Sequence, residues 1–137
     1  METQFHLSLP CLSISKTKLF YTNVLEAKLG RSSQNWVDID LFGHQITFTQ
    51  SGAFNFDYKS YSFGGQVLPS FHFGVILDRR LWTVLFQKLK QKEVVEKPQL
   101  EFLSGKTGEH QSFFLKDPND YTVEFKCFTN PEEIFKY

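Results

Sequence analysis

The 137-residue sequence predicts an α+β domain built from two repeats of one element order: strand, helix, strands. Three observations carry that expectation. The dipeptide Phe5-His6 opens an alternating stretch, and the same pair returns as Phe71-His72 at the head of another; an internal repeat is weighed before any single motif. Each alternating stretch is followed by apolar residues at helical spacing and then by further alternating runs. Sixteen phenylalanines, a residue type that favours strands, lean the whole toward sheet.

The first repeat spans about residues 4–50. In FHLSLPC, Phe5, Leu7 and Leu9 alternate with His6, Ser8 and Pro10, a half-buried strand with Pro10 at its end or edge. Ser15 is expected to cap a helix over 16–25 whose apolar face carries Leu19, Phe20 and Val24. Gly30 punctuates its far side, and 31–33 reads as the tail of a short strand. WVDIDLF over 36–42 puts Asp38 and Asp40 on one face and Val37, Ile39 and Leu41 on the other; Gly43 turns the chain, and HQITFTQ over 44–50 completes a hairpin.

Residues 51–69 hold Gly52, Gly64, Gly65 and Pro69 with scattered aromatics and no period, and read as a connector. Its rings at Phe54, Phe56, Tyr58, Tyr61 and Phe63 suit packing over a cleft or docking on the core. The second repeat covers about 70–128. It comprises a strand over 71–77, a helix capped by Asp78 with Leu81, Val84, Leu85 and Leu89 on its apolar face, a strand over 100–103 after a break at Pro98, and a strand over 112–116. A four-residue turn at Asp117-Pro118-Asn119-Asp120 then leads into TVEFKCF over 122–128. Residues 129–137 begin with a turn and end in a frayed helical turn.

Fifteen basic side chains balance fifteen acidic ones, and the densest basic run, 88–92, is followed directly by Glu93 and Glu96. Such a surface excludes non-specific nucleic-acid binding, which needs concentrated positive charge. Two cysteines, Cys11 and Cys127, make no disulfide framework and read as buried thiols. METQFHLSLP lacks a basic stretch followed by an apolar run, and no apolar segment approaches the roughly 20 residues of a membrane helix. The expectation is a cytoplasmic protein without membrane contact.

FHLSLP with LFYTNVLEAKLG after it, FHFGVIL, and GEHQSFFLKDPNDYTVEFKCF together resemble the vicinal-oxygen-chelate superfamily, the glyoxalase, bleomycin-resistance and extradiol-dioxygenase proteins. The last segment is the most specific, and the resemblance covers nearly the whole chain. It implies paired βαβββ modules forming an open, U-shaped mixed-sheet cleft, a homodimer, and one divalent metal ion (Fe, Mn, Zn, Ni or Co). The ligand positions it implies fall on His6, His72 and Glu124. The position that carries a fourth, glutamate ligand in glyoxalase I falls on or beside Thr47, whose hydroxyl is a poor ligand and no base. The four-ligand isomerase pattern is therefore incomplete here.

Two imidazoles and a carboxylate suit first-row divalent metals and leave coordination positions open for water, oxygen or a chelating substrate. Alternation sets His6 with Ser8, His72 with Gly74, and Glu124 with Thr122 and Lys126. Taken singly, a strand histidine reads as a hydrogen-bonded half-buried residue and Glu124 as a salt-bridge partner. His44 and His110 are the remaining imidazoles and the candidate catalytic acid–bases; Thr47, Arg31 and Lys126 are the candidate substrate contacts. Three functions fit. One is a metal-dependent dioxygenase or lyase acting on a small oxygen-rich molecule. Another is metal-dependent transfer to an anion, as in fosfomycin-resistance proteins. The third is non-enzymatic sequestration, as in bleomycin-binding proteins. Fold alone does not choose among them.

Overall fold

The computed structural model describes residues 2–55 and 57–136. Phe56, one of the connector aromatics, and Tyr137, in the terminal segment, lie outside the described residues. The chain divides into two compact units, one of residues 1–56 with the Asp117–Asp120 turn, the other of 57–116 with 121–137.

The first unit is a βαβββ module. It runs β1 (His6–Cys11), α1 (Ile14–Leu19), a π-helical turn (Phe20–Val24), β2 (Lys28–Ser32), β3 (Trp36–Leu41) and β4 (His44–Gln50). The sheet order is β1-β4-β3-β2, with β1 parallel to β4 and the other pairs antiparallel. Pro10 is tolerated because β1 is an edge strand. The β3–β4 hairpin turns on Phe42 and Gly43, both at positive φ (53° and 90°), a backbone that glycine adopts without strain. Asp40 Oδ1 accepts the Gly43 N–H at 2.7 Å and closes the turn.

The helix differs from its expectation in two respects. Ser13, not Ser15, caps it, accepting the Lys16 N–H at 3.3 Å. Its buried stripe is Ile14, Thr17, Tyr21 and Leu25, whereas Leu19 is 57% exposed. Apolarity alone points to the wrong stripe because Thr17 and Tyr21 are buried with their polar atoms satisfied. Tyr21 Oη donates to Asp117 Oδ2 at 2.9 Å, and Asn119 Nδ2 donates to Thr17 Oγ1 at 3.2 Å. Asn119 Oδ1 also accepts the Leu12 N–H at 2.8 Å, so one turn residue serves two segments of this unit.

The second unit opens with a hairpin, β5 (Ser60–Phe63) and β6 (Gln66–Pro69), where the sequence reads as a connector without strands. Gly64 and Gly65, both at positive φ, form its two-residue turn; Tyr and Ser on the exposed β5 hide the period. A second βαβββ module follows: β7 (Phe73–Ile76), α2 (Arg79–Gln91), β8 (Val95–Phe102), β9 (His110–Lys116) and β10 (Thr122–Phe128). Its sheet order, β7-β10-β9-β8, repeats the first, again with one parallel pair, β7 with β10. The predicted α+β class and paired βαβββ modules are what the chain adopts. Among the described residues no helix is long and apolar enough to cross a membrane.

Here too the details depart from expectation. β7 is shorter than the predicted strand, so His72 lies just before it. Asp78 caps α2 as expected, accepting the Leu81 N–H at 2.8 Å. The helix buries Trp82, Leu85 and Leu89 and leaves Leu81 and Val84 about half exposed. Trp82 prevails because it buries the largest apolar surface and its indole N–H reaches the Phe125 carbonyl at 2.9 Å. Pro98 does not end a strand. β8 runs through it, with register shifts between Val95 and Leu100 and Gln99 at φ 31°. The Asp117–Asp120 turn joins β9 and β10 as antiparallel neighbours, closed by Asp120 N–H to the Asp117 carbonyl at 3.1 Å. The terminal segment is a short 3-10 turn, Pro131–Glu133.

Two substitutions test this packing. Asn119→Ala strands the Leu12 N–H and removes the amide donor to Thr17 Oγ1 and Asp117 Oδ2, and should cost about 2–3 kcal/mol in urea unfolding; a change under about 0.5 kcal/mol would contradict the network. At Gly74 an added Cβ would overlap the Glu124 carbonyl oxygen. Gly74→Ala should therefore destabilise the parallel β7–β10 pairing by at least about 2 kcal/mol.

Candidate functional site

In the second unit, alternation along β10 places Thr122, Glu124, Lys126 and Phe128 on one face, opposite Lys116, Phe114, Ser112 and His110 of β9. Glu124 is 6% exposed. A carboxylate so buried must be paired. His72 Nε2 lies 3.1 Å from Oε1; Ser112 Oγ donates to Oε2 at 2.8 Å; Lys126 Nζ stands 3.5 Å from Oε2. Burial pushes the Glu124 carboxyl up, but His72, Lys126 and Ser112 outweigh it and hold the group below the usual carboxylate range.

The other ring nitrogen of His72, Nδ1, sits 3.0 Å from the Pro69 carbonyl. A carbonyl only accepts, so Nδ1 carries the proton. In the neutral ring, Nε2 is then a lone pair facing a carboxylate oxygen. Two acceptors face each other stably only with a cation between them, either a proton or a metal ion. The hydrogen bond to Glu124 raises the His72 pKa, against the opposing effect of burial, and so favours a proton there. The same geometry fits a metal. Two donors about 2.1 Å from an ion and at right angles to it lie about 3.0 Å apart. A metal-binding imidazole typically anchors its other N–H on a carbonyl or carboxylate. His72 and Glu124 therefore fit two positions of a divalent-metal set. Among the described residues no group of three His, Cys, Asp or Glu side chains is gathered to complete one.

His110 is 7% exposed, its ring between Phe102 and Phe128 with centroids 5.1 and 5.0 Å away. Nδ1 meets the Gly108 carbonyl at 2.8 Å, which leaves Nε2 the lone-pair nitrogen. Burial pushes its pKa down, so the ring is held neutral. A small cavity of about 170 Å³ is lined by His72, Phe73, Gly74, Glu124 and Lys126 among others.

In the first unit, His6 pairs with Gln45 and Ser8 with Thr47 across β1 and β4. Thr47 does not stand alone on this face. Its Oγ1 donates to Asp38 Oδ1 at 2.7 Å, while Gln45 Nε2 and an Arg31 guanidinium N–H reach Asp38 Oδ2 at 3.1 and 3.4 Å. Asp38, 6% exposed, is the polar residue the sequence reading did not single out. Its signal was the alternation in WVDIDL together with Gly30, where a Cβ would stand only 3.1 Å from the Asp38 backbone and Cβ. A cavity of about 460 Å³ on this unit is lined by Phe5, His6, Arg31, Asp38, His44 and Gln45 among others. His44 Nδ1 accepts the Phe5 N–H at 3.1 Å, and the largely exposed Arg31 lies over the Trp36 ring. Cys11 and Cys127 are buried free thiols, and burial pushes both up in pKa.

No family model matches the sequence, and no curated protein does. Solved structures do. A glyoxalase/bleomycin resistance protein/dioxygenase from Alicyclobacillus acidocaldarius is 25% identical, with a TM-score of 0.83 over 98% of this chain and 97% of that one. A genomically encoded fosfomycin resistance protein from Listeria monocytogenes is 18% identical, with a TM-score of 0.70 over 100% of this chain and 99% of that one. An integron cassette protein from Vibrio cholerae, at 21% identity, has a TM-score of 0.63 over 93% and 95% of the two chains. Two modules of one topology and these likenesses agree: the structure of this chain matches the vicinal-oxygen-chelate superfamily, that of the glyoxalase, bleomycin-resistance and dioxygenase proteins.

Proposed function

We propose that the chain is a metal-dependent enzyme of the glyoxalase/dioxygenase-like type that acts on a small, oxygen-rich organic molecule by a dioxygenase or lyase reaction. The observation that carries this reading is the His72 Nε2 facing Glu124 Oε1 across 3.1 Å while Nδ1 is tied to the Pro69 carbonyl. His72 and Glu124 hold a divalent ion (Fe, Mn, Zn, Ni or Co), and His6, on the resemblance, is the third ligand. Such an ion, when bound, supplies a Lewis acid with open positions for substrate oxygens.

The remaining chemistry belongs to side chains. Ser112 fixes the Glu124 carboxylate by donating to Oε2. Lys126, beside the same oxygen, offers an ammonium to an anionic substrate oxygen. His110, neutral and on the same face of its sheet, accepts a proton at Nε2. Arg31 and His44, which line the cavity of the first unit, and Thr47 are that unit's proposed substrate contacts. A protein with these exposed sheet edges is proposed to work as a homodimer.

One observation favours a second reading, non-enzymatic sequestration of a small molecule. Both Glu124 oxygens already have protein partners in His72, Ser112 and Lys126.

Titration with Mn²⁺ or Zn²⁺ separates the two. Glu124→Gln keeps the shape and removes the charge, so on the metal reading it weakens binding at least about tenfold, about 1.4 kcal/mol, and leaves the fold intact. A merely structural ion pair predicts the reverse, altered stability and unchanged metal uptake. For assembly, sedimentation at micromolar concentration should show a dimer; a monomer would remove that part of the proposal.

A further inference from the structure

The β5–β6 hairpin belongs to neither four-stranded sheet, yet it meets His72 at two points. Pro69, its last residue, accepts the Nδ1 hydrogen bond at 3.0 Å. Tyr61 lays its ring parallel to the imidazole, with 5° between the planes and 6.5 Å between centroids. The two contacts are built into one ladder. Ser60 pairs with Pro69 and Tyr61 with Leu68, and the Ser70 N–H closes on the Lys59 carbonyl at 2.9 Å. Leu68 anchors the hairpin, 3% exposed and packed with Phe102 and Phe114. Phe63 adds a ring contact to Phe102. Phe114 in turn meets His72 edge-on at 6.0 Å.

We propose that this hairpin is the positioning device of the His72 imidazole, Pro69 fixing which nitrogen bears the proton and Tyr61 fixing the plane of the ring. The inference rests on His72 being a metal ligand, and it adds what makes it one. An imidazole turned over about its Cβ–Cγ bond, or carrying its proton on Nε2, offers Glu124 a C–H or an N–H in place of a lone pair. The tether at Nδ1 excludes both. A single hydrogen bond to a backbone carbonyl contributes little net stability; the parallel tyrosine ring restricts the rotation that would break it. Tyr61 is therefore a positioning residue, and it touches neither Glu124 nor any reacting atom on this account. At 39% exposure it is not part of the Leu68–Phe102–Phe114 cluster, so removing its ring leaves the hairpin's anchor in place.

The test uses the whole chain with ¹⁵N-labelled histidine, free of metal, in alkaline buffer where the ring is neutral, and carries Glu124→Gln so that an amide N–H rather than a carboxylate faces the Nε2 lone pair. With Tyr61 intact, His72 is expected as one tautomer, with hydrogen on Nδ1. Tyr61→Ala is expected to show a mixture of tautomers and, in a separate titration with Glu124 in place, about tenfold weaker Zn²⁺ binding. Tyr61→Phe keeps the ring and should match the protein with Tyr61 intact in both. Tyr61→Leu keeps an apolar side chain for the hairpin without a ring and should behave as alanine does. An unchanged tautomer and unchanged Zn²⁺ affinity in Tyr61→Ala and Tyr61→Leu would overturn the proposal. Should His72→Ala leave Zn²⁺ binding intact, the ligand reading fails, while the tautomer spectra alone still decide whether the hairpin positions the ring.

Discussion

The second unit's chemistry depends on one carboxylate removed from water. Glu124 is buried mid-strand in β10, where an unpaired charge would cost several kcal/mol. The fold meets that cost with partners from three elements: Lys126 two residues on in the same strand, Ser112 across the antiparallel ladder, and His72 just ahead of the parallel neighbour. The parallel partner comes close only because position 74 lacks a side chain. Without that approach His72 would not lie within 3.1 Å of Oε1. A backbone requirement at a glycine thus becomes a property of the site.

The two modules share a topology but solve the same electrostatic problem differently. In the first, the buried carboxylate comes from β3 as Asp38, and its partners are Thr47 and Gln45 from the neighbouring strand with Arg31 from β2. Only one of these partners is cationic, and it is largely exposed. In the second, the carboxylate is on β10, flanked by an ammonium and an imidazole. Sheets of one strand order therefore present a hydroxyl–amide cradle in one module and a carboxylate flanked by an imidazole and an ammonium in the other, a difference made by side chains.

Much of this was legible in the sequence where a single physical rule dominates. Strict alternation set β3, β4 and β10, and turn chemistry set Gly43 and the Asp117–Asp120 turn. The Phe-His repeat and the resemblance pointed to His72 and Glu124, which meet, and alternation put Lys126 beside them. The misread features are those where rules compete. Thr17 and Tyr21 occupy a core stripe because a buried turn satisfies their polar atoms, so hydropathy alone pointed to Leu19. Trp82 outweighed Leu81 on α2 by size and by its N–H bond. In the β5–β6 hairpin β5 is exposed throughout and β6 buries only Leu68, so there is no hydrophobic alternation to read. Asp38 and Tyr61 were legible only as a strand-face residue and a connector ring, for a related reason: period assigns a face, but which side chains meet across strands depends on register and on the close approach glycines allow.

On the proposed function, the His72 imidazole and the Glu124 carboxylate are two ligands of one divalent ion, and they face each other across 3.1 Å. Crystals of the full chain soaked in Mn²⁺, with diffraction recorded to locate the anomalous scatterer, test it most directly. A peak is expected about 2.0–2.3 Å from both His72 Nε2 and a Glu124 oxygen, with Nδ1 still on the Pro69 carbonyl. Manganese bound elsewhere, with the His72–Glu124 ion pair undisturbed, would contradict it.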